Sequence, residues 1–149
     1  MKIYMDVGLP NDTFRRKSER EFLKQHAVKY SGGKILEIGA WKGASTLALC
    51  ETNNYITAVD SWESDDIFSD FRKNTAMCKN LSTVRCSSQT FFKSSKEKFD
   101  LIFIDGDHSR EAFYHDLMIS LSRLNRCGTL VCHDFAVAHS WIIAESKSL

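Results

Sequence analysis

The side chains best suited to chemistry stand where short apolar runs end. Glu37 lies in Lys34-Ile35-Leu36-Glu37-Ile38-Gly39, and Asp60 ends Tyr55-Ile56-Thr57-Ala58-Val59-Asp60. Asp105 ends Phe99-Asp100-Leu101-Ile102-Phe103-Ile104-Asp105, with Asp107 and His108 directly after it. His133 and Asp134 end Gly128-Thr129-Leu130-Val131-Cys132-His133-Asp134. Runs of this kind read as buried strands. In an open parallel sheet, ligands bind outside the carboxyl ends of the strands, so these groups would share one crevice. Carboxylates gathered there repel one another unless protons or a cation intervene. Oxygen ligands suit Mg²⁺, which takes one or two protein carboxylates and keeps several waters. Such an ion would lower the pKa of a substrate hydroxyl and orient it.

The turn Glu37-Ile38-Gly39-Ala40-Trp41-Lys42-Gly43 carries a second kind of signal. Gly39 allows a tight backbone turn with room for a ligand, and Gly43 permits close helix–strand packing. A complete GxGxxG is absent, which disfavours a dinucleotide pyrophosphate. Asp60 falls about twenty residues beyond the turn, the spacing at which an acid bonds ribose hydroxyls. It could equally cap the following turn. Ser87-Ser88-Gln89 follows a short run and could reach an adenine edge or cap a helix, two compatible roles.

These positions need a scaffold, and the pattern supplies one. Gly8, Pro10 and Asn11 mark residues 1–11 as an irregular start. Phe14, Phe22, Leu23, Ala27 and Tyr30 follow helical spacing after a cap at Asp12 or Thr13. The strand at Lys34 to Gly39 leads into a helix from Gly43 to Cys50, then the strand ending at Asp60, then a helix from Asp65 to Met77. A short strand from Ser82 to Cys86, the strand ending at Asp105, a helix from Glu111 to Leu124, and the strand from Gly128 to Asp134 complete the core. Ala138 to Ser148 reads as a last helix. The alternation predicts one α/β domain, a doubly wound, mostly parallel sheet of about five strands covered on both faces. It divides into an N-terminal helical segment (1–33), a core (34–135) and a C-terminal helix (136–149).

Bulk composition narrows the class. A chain of 149 residues with 43% hydrophobic and 26% charged residues suits a single folded domain. A net charge of +1 gives no nucleic-acid field. Arg15-Arg16-Lys17, followed by Glu19 and Glu21, reads as a solvated helix face. Cys50, Cys78, Cys86, Cys127 and Cys132 show no zinc spacing and fit free thiols in a reducing cytoplasm. No signal-type or membrane-length apolar run is visible, so a cytoplasmic protein without membrane contact is expected.

The stretch Ile35-Leu36-Glu37-Ile38-Gly39-Ala40-Trp41-Lys42-Gly43-Ala44-Ser45 resembles the first motif of the class I S-adenosylmethionine-dependent methyltransferases, whose fold is Rossmann-like. Phe103-Ile104-Asp105-Gly106-Asp107-His108-Ser109 through Asp116-Leu117, with Gly128 to Phe135, is most similar to a bacterial small-molecule group, methyltransferase family 24. That group includes macrolide-sugar O-methyltransferases and cephalosporin-hydroxylase-like proteins; catechol O-methyltransferase is a more distant likeness. The resemblance runs from about Lys34 to Phe135. It implies that Glu37 and Gly39 sit near the methionine part of S-adenosylmethionine and that Ala40, Trp41 and Gly43 also belong to the cofactor site. It implies that Asp60 binds the ribose, Trp62 packs on adenine, and Ser88 and Gln89 contact the adenine edge. It puts Asp105 and Asp134 at metal-ligand positions beside the cofactor and makes His108 the general base. His133 stands where relatives carry a second acid or an asparagine. It could be a ligand, although nitrogen favours transition metals over Mg²⁺.

The expected function is methyl transfer from S-adenosylmethionine to a hydroxyl of a small molecule, a sugar or natural product, with Mg²⁺ assistance left open. The alternative is a truncated methyltransferase-fold binding module acting through partners. A nicotinamide enzyme lacks its glycine fingerprint, and nucleic-acid methylation lacks a basic surplus. The usual fold ends in an antiparallel strand hairpin. The chain stops at residue 149, too soon after Phe135 for a helix and two strands, so either a minimal version or a fragment is expected. The last core strand would then be an exposed edge. A homodimer burying Trp141 and Ile142 would cover it.

Overall fold

The computed structural model describes residues 2–5 and 13–133, and the side chains of 19–133. Its strands are β1 (Lys2–Met5), β2 (Lys34–Ile38), β3 (Tyr55–Asp60), β4 (Leu81–Arg85), β5 (Phe99–Ile104) and β6 (Leu124–Cys132). Its helices are α1 (Thr13–Ala27), α2 (Ala44–Cys50), α3 (Asp65–Asn74), α4 (Ser88–Ser94) and α5 (Arg110–Arg123), with a 3₁₀ turn at Val28–Tyr30. The strands form one sheet in the order β1-β6-β5-β2-β3-β4, and every pairing is parallel. The five strands read from the sequence are all present, in a Rossmann-like methyltransferase arrangement.

Two expectations at the sheet's far side are corrected. The sheet has six described strands rather than five, because residues 2–5 of the supposed irregular start form β1. That strand pairs with β6 from Lys2↔Thr129 to Met5↔Cys132, so β6 is an interior strand and not an edge. The sixth strand also begins earlier than expected, at Leu124, directly after α5. A register irregularity lies where Leu124 and Thr129 face Phe99 and Leu101, and Cys127 there takes φ 68°. Asp134, the final helix and the expected dimer residues Trp141 and Ile142 lie outside the described residues.

Each central strand is apolar on both faces because helices cover both. Leu36, Ile38, Ile102, Ile104 and Leu130 pack with Phe91 and Phe92 of α4 and Phe113 and Leu117 of α5. Ile35, Ile56, Leu101 and Phe103 pack on the other face with Leu23 and Ala27 of α1 and Leu49 of α2. Ala58, Trp62 and Phe71 form a third cluster under α3. Ile102 sits at the centre of the sheet and is fully buried. Trimming one methylene in Ile102→Val should cost about 1 kcal/mol. It should appear as a lower denaturant midpoint with an unchanged slope.

Candidate functional site

Chain order reverses between β2 and β5: β3 and β4 extend the sheet to one side of β2, and β5 and β6 to the other. In an open parallel sheet such a switch point is where ligands bind, in a crevice outside the carboxyl ends of the strands. β2 delivers Glu37 and Gly39 to it, β3 delivers Asp60, and β5 delivers Asp105. The backbone ladder holds them in register: Gly39 N–H donates to Val59 O at 2.9 Å, and Asp105 N–H donates to Ile38 O at 2.8 Å.

Gly39 has φ +86°, and a Cβ there would lie 2.2 Å from the Asp105 carbonyl oxygen and 2.6 Å from Gly106 Cα. Glycine is therefore required by the neighbouring strand end as well as by the turn. Gly43, at φ +89°, caps α2, and its N–H closes the turn on Ala40 O at 2.8 Å. Its close approach is to Phe71 and Thr75 at the end of α3, not to a strand as expected; a Cβ would meet Thr75 Cγ2 at 2.8 Å.

Glu37 is fully buried beneath this turn. Oε1 accepts from Ser45 Oγ and Oε2 from Thr46 Oγ1, each at 2.5 Å, so the carboxyl ties β2 to the first turn of α2. Burial pushes its pKa up to about 7; the two hydroxyls oppose the rise, and Asp105 and Asp60 add to it. Ser45 and Thr46 were not singled out from the sequence, although hydroxyls directly after a glycine turn are the available signal.

Asp60 grips two loops. Oδ2 accepts the Trp41 N–H and Oδ1 the Trp62 N–H, both at 2.8 Å. Both tryptophans take left-handed backbone conformations, φ 43° and 39°, which cost energy for residues with a Cβ. The Trp62 indole N–H donates to Trp41 O at 2.7 Å, and Arg85 donates to Trp62 O. Trp41 is 60% exposed at the mouth. Trp62, by contrast, is 2% exposed, and its ring packs on Phe68 and Phe71 with centroids 4.9 and 4.5 Å away. Its ring faces the core, and adenine stacking would require it to leave that pocket.

Ser87, not Ser88, caps α4, accepting from Thr90 N–H. Ser88 is half-buried, with its hydroxyl on the Asp116 carboxylate, and Gln89 is exposed in the first turn. Asp116 lies on the covered face of α5 and is 2% exposed. Burial raises its pKa against the opposing bonds from Ser88 and His115. An acid set among Phe113, Leu117 and Ser120 at helical spacing was the signal for it, and it was missed.

Past β5, Asp105 is half-exposed, and Asp107 and His108 are exposed. Asp107 Oδ1 accepts the Ser109 N–H at 2.8 Å, ordering the entry to α5. His133 Nδ1 lies 3.1 Å from Asp105 Oδ1, and its Nε2 lies 3.2 Å from Glu19 Oε2 of α1. The sequence brought Asp105 and His133 together correctly but gave no sign of Glu19. Both His133 nitrogens thus face carboxylates, and the contact with Glu19 is a hydrogen bond. Among the described residues no group of three or more His, Cys, Asp or Glu side chains could hold a metal ion. Asp134, the remaining expected ligand, lies outside them.

The assembled crevice has a half-exposed acid for hydroxyls (Asp60), a glycine floor, and an ionisable buried acid below it. That combination suits a ligand with a ribose and a positive centre. Comparison with known proteins agrees. A family model described as a methyltransferase domain matches residues 36–135. A highly reducing polyketide synthase, pks5, of Leptosphaeria maculans is 32% identical over 77 residues, 47% of this chain; the chain spans 3% of that synthase. An rRNA methylase from Streptococcus thermophilus superposes with TM-score 0.68 at 12% identity, covering 95% of this chain and 82% of its own. Precorrin 8w decarboxylase from Methanobacterium thermoautotrophicum gives 0.70 at 15%, covering 93% and 72%. Coclaurine N-methyltransferase bound to N-methylheliamine and SAH gives 0.62 at 16%, covering 86% and 38%. At these identities the structural likeness is one of fold. The family match, spanning the glycine turn and Glu37, Asp60, Asp105 and Asp107, establishes that the chain belongs to the methyltransferase-domain family, among the class I S-adenosylmethionine-dependent methyltransferases.

Proposed function

We propose that the chain binds S-adenosylmethionine in the switch-point crevice and methylates a hydroxyl of a small molecule, a sugar or natural product. The observation that carries this reading is the Asp60 clasp, two backbone N–H bonds at 2.8 Å that fix Trp41 and Trp62 on either side of an acid with lone pairs left for ribose hydroxyls. When bound, S-adenosylmethionine supplies a methyl group on a cationic sulfur. The chain's own task is to align the acceptor oxygen with that methyl and to take away the hydroxyl proton. His108, exposed three residues beyond Asp105, would take that proton as general base. Asp105, at the crevice wall, would orient the acceptor.

Calorimetry with S-adenosylmethionine and S-adenosylhomocysteine tests the reading, and micromolar binding of both is expected. No binding of either would sink it. Parallel titrations with and without Mg²⁺ decide whether a cation takes part. With a panel of hydroxylated acceptors, His108→Ala should lower turnover while leaving cofactor affinity unchanged. Cofactor binding without transfer to any acceptor would favour the binding-module alternative. No helix among the described residues is long and apolar enough to cross a membrane. β1 covers β6, so the exposed edge no longer calls for a homodimer; a dimer through Trp141 and Ile142 is a proposal that a monomer in light scattering at micromolar concentration would remove.

A further inference from the structure

We propose a second binding site, outside the crevice, for a small molecule carrying a phosphate monoester: the groove between α3 and the edge strand β4, where Arg72, Lys73 and Arg85 gather around Phe68. The groove has a volume of about 610 Å³ and is lined by these four residues together with Asp65 and Ala76. That volume lies in the range of small-molecule sites. Three cations stand against one carboxylate, so the balance suits a dianion, and a phosphate monoester carries nearly two negative charges at neutral pH. Phe68 and Ala76 offer apolar surface to the carbon skeleton behind the phosphate.

Arg85 is held in place before any ligand arrives. Its Nε and Nη2 donate to Trp62 O at 3.1 and 2.5 Å, and its guanidinium carbon lies 4.8 Å from the Phe68 ring centroid. Nη2 also meets Asp65 Oδ1 at 2.7 Å, but the Asp65 side chain is 90% exposed, and so wet an ion pair is readily exchanged for another anion. Nη1 makes no hydrogen bond among the described residues, so its two N–H groups are open to a ligand. The Arg72 guanidinium lies over the same ring, 6.0 Å from its centroid, and pairs with no carboxylate among the described residues. Arginine laid on a ring covers its flat face and keeps its N–H donors at the edge, where they can fork onto two phosphate oxygens. The Phe68 ring that carries both is itself braced by Trp62 and Phe71. Lys73 adds the third charge. Asp70, the acid its field reaches, is already held by Lys42 at 2.8 Å. Arg72 and Lys73 take no part in the Asp60 clasp, so they can be altered without touching the cofactor crevice.

The test is an NMR titration of the full chain with phenyl phosphate at a pH well above about 6, where the ester is a dianion. The backbone amides of Phe68, Arg72, Lys73 and Arg85 should shift, and those of Gly39 and Asp105 should stay unmoved. Benzyl alcohol, which lacks the phosphate, should shift none of them. Inorganic phosphate should move the same amides at several-fold weaker affinity, because it lacks the ring. Arg72→Ala with Lys73→Ala should weaken phenyl phosphate by at least about tenfold, the loss expected for charge-assisted bonds. Asp65→Asn should tighten it by about threefold by releasing Arg85. All three changes fall on exposed side chains, and an unchanged melting temperature shows that the fold is intact. No shift at any amide, shifts confined to the crevice, equal affinity for phenyl phosphate and inorganic phosphate, or affinity unchanged in the variants would overturn the proposal. A single-stranded RNA oligomer that binds more tightly than phenyl phosphate through the same amides would overturn it as well, because the groove would then follow a phosphodiester backbone.

Discussion

Gly39→Ala should lower the stability of the domain by about 3 kcal/mol, a fall of about 10 °C in melting temperature. Two costs add. The φ of +86° penalises any residue with a Cβ by roughly 1–2 kcal/mol. The new methyl would also stand 2.2 Å from the Asp105 carbonyl oxygen and 2.5 Å from its carbonyl carbon. These are backbone atoms of the adjacent strand end, held by the Asp105 N–H bond to Ile38 O, and they cannot swing aside as a flexible side chain would. Gly32 supplies the control. It has nearly the same φ, +78°, but its Cβ would meet nothing within 4 Å. Gly32→Ala should therefore show the conformational cost alone, about 1 kcal/mol. The difference between the two melts isolates the overlap. Because relief of that overlap separates β2 from β5 at the switch point, Gly39→Ala should also bind S-adenosylmethionine more weakly, whereas Gly32→Ala should not. Equal melting temperatures for the two variants would show that the β2–β5 junction yields easily.

The contrast between Gly39 and its surroundings also shows what a sequence can disclose. Strands β2, β3 and β5 are legible because each is a short apolar run, and their order around a glycine turn implies a crevice where Glu37, Asp60 and Asp105 meet. β1 is illegible because residues 2–5 carry no periodic signal of their own and depend on pairing with β6, more than a hundred residues away in the chain. The early start of β6 is hidden by Asn125-Arg126-Cys127-Gly128, which reads as a loop and is folded into the strand through an irregularity. α4 buries only the adjacent pair Phe91 and Phe92, which makes no helical stripe, and only its cap at Ser87-Ser88-Gln89 stands out. Within the site, residue type identified the acids but not their partners. That Glu37 is capped by Ser45 and Thr46, that Trp62 turns inward, and that Glu19 reaches His133 are outcomes of tertiary packing. Each joins elements whose separation in sequence gives no pairing rule.

Asp60→Ala should weaken S-adenosylmethionine and S-adenosylhomocysteine alike by at least about 100-fold. Hydrogen bonds to an ionised carboxylate are worth about 1.5–3 kcal/mol each, and this carboxylate makes two to the backbone before any ligand arrives. Those two bonds hold Trp41 and Trp62 in left-handed conformations that neither would keep unaided. Losing them frees the loop that carries the glycine turn and removes the proposed ribose acceptor in one step. Asp60→Asn separates the two contributions. Its amide is nearly the same shape, but one oxygen becomes an NH₂ group that opposes a backbone N–H instead of accepting from it. One clasp bond should survive, and the loss in affinity should be about tenfold. Ribose is common to cofactor and product, so both Asp60 variants should weaken the two ligands to the same degree. If Asp60→Ala bound both ligands within threefold of wild type, the clasp would be a loop anchor only, and the ribose would have to lie elsewhere along the crevice.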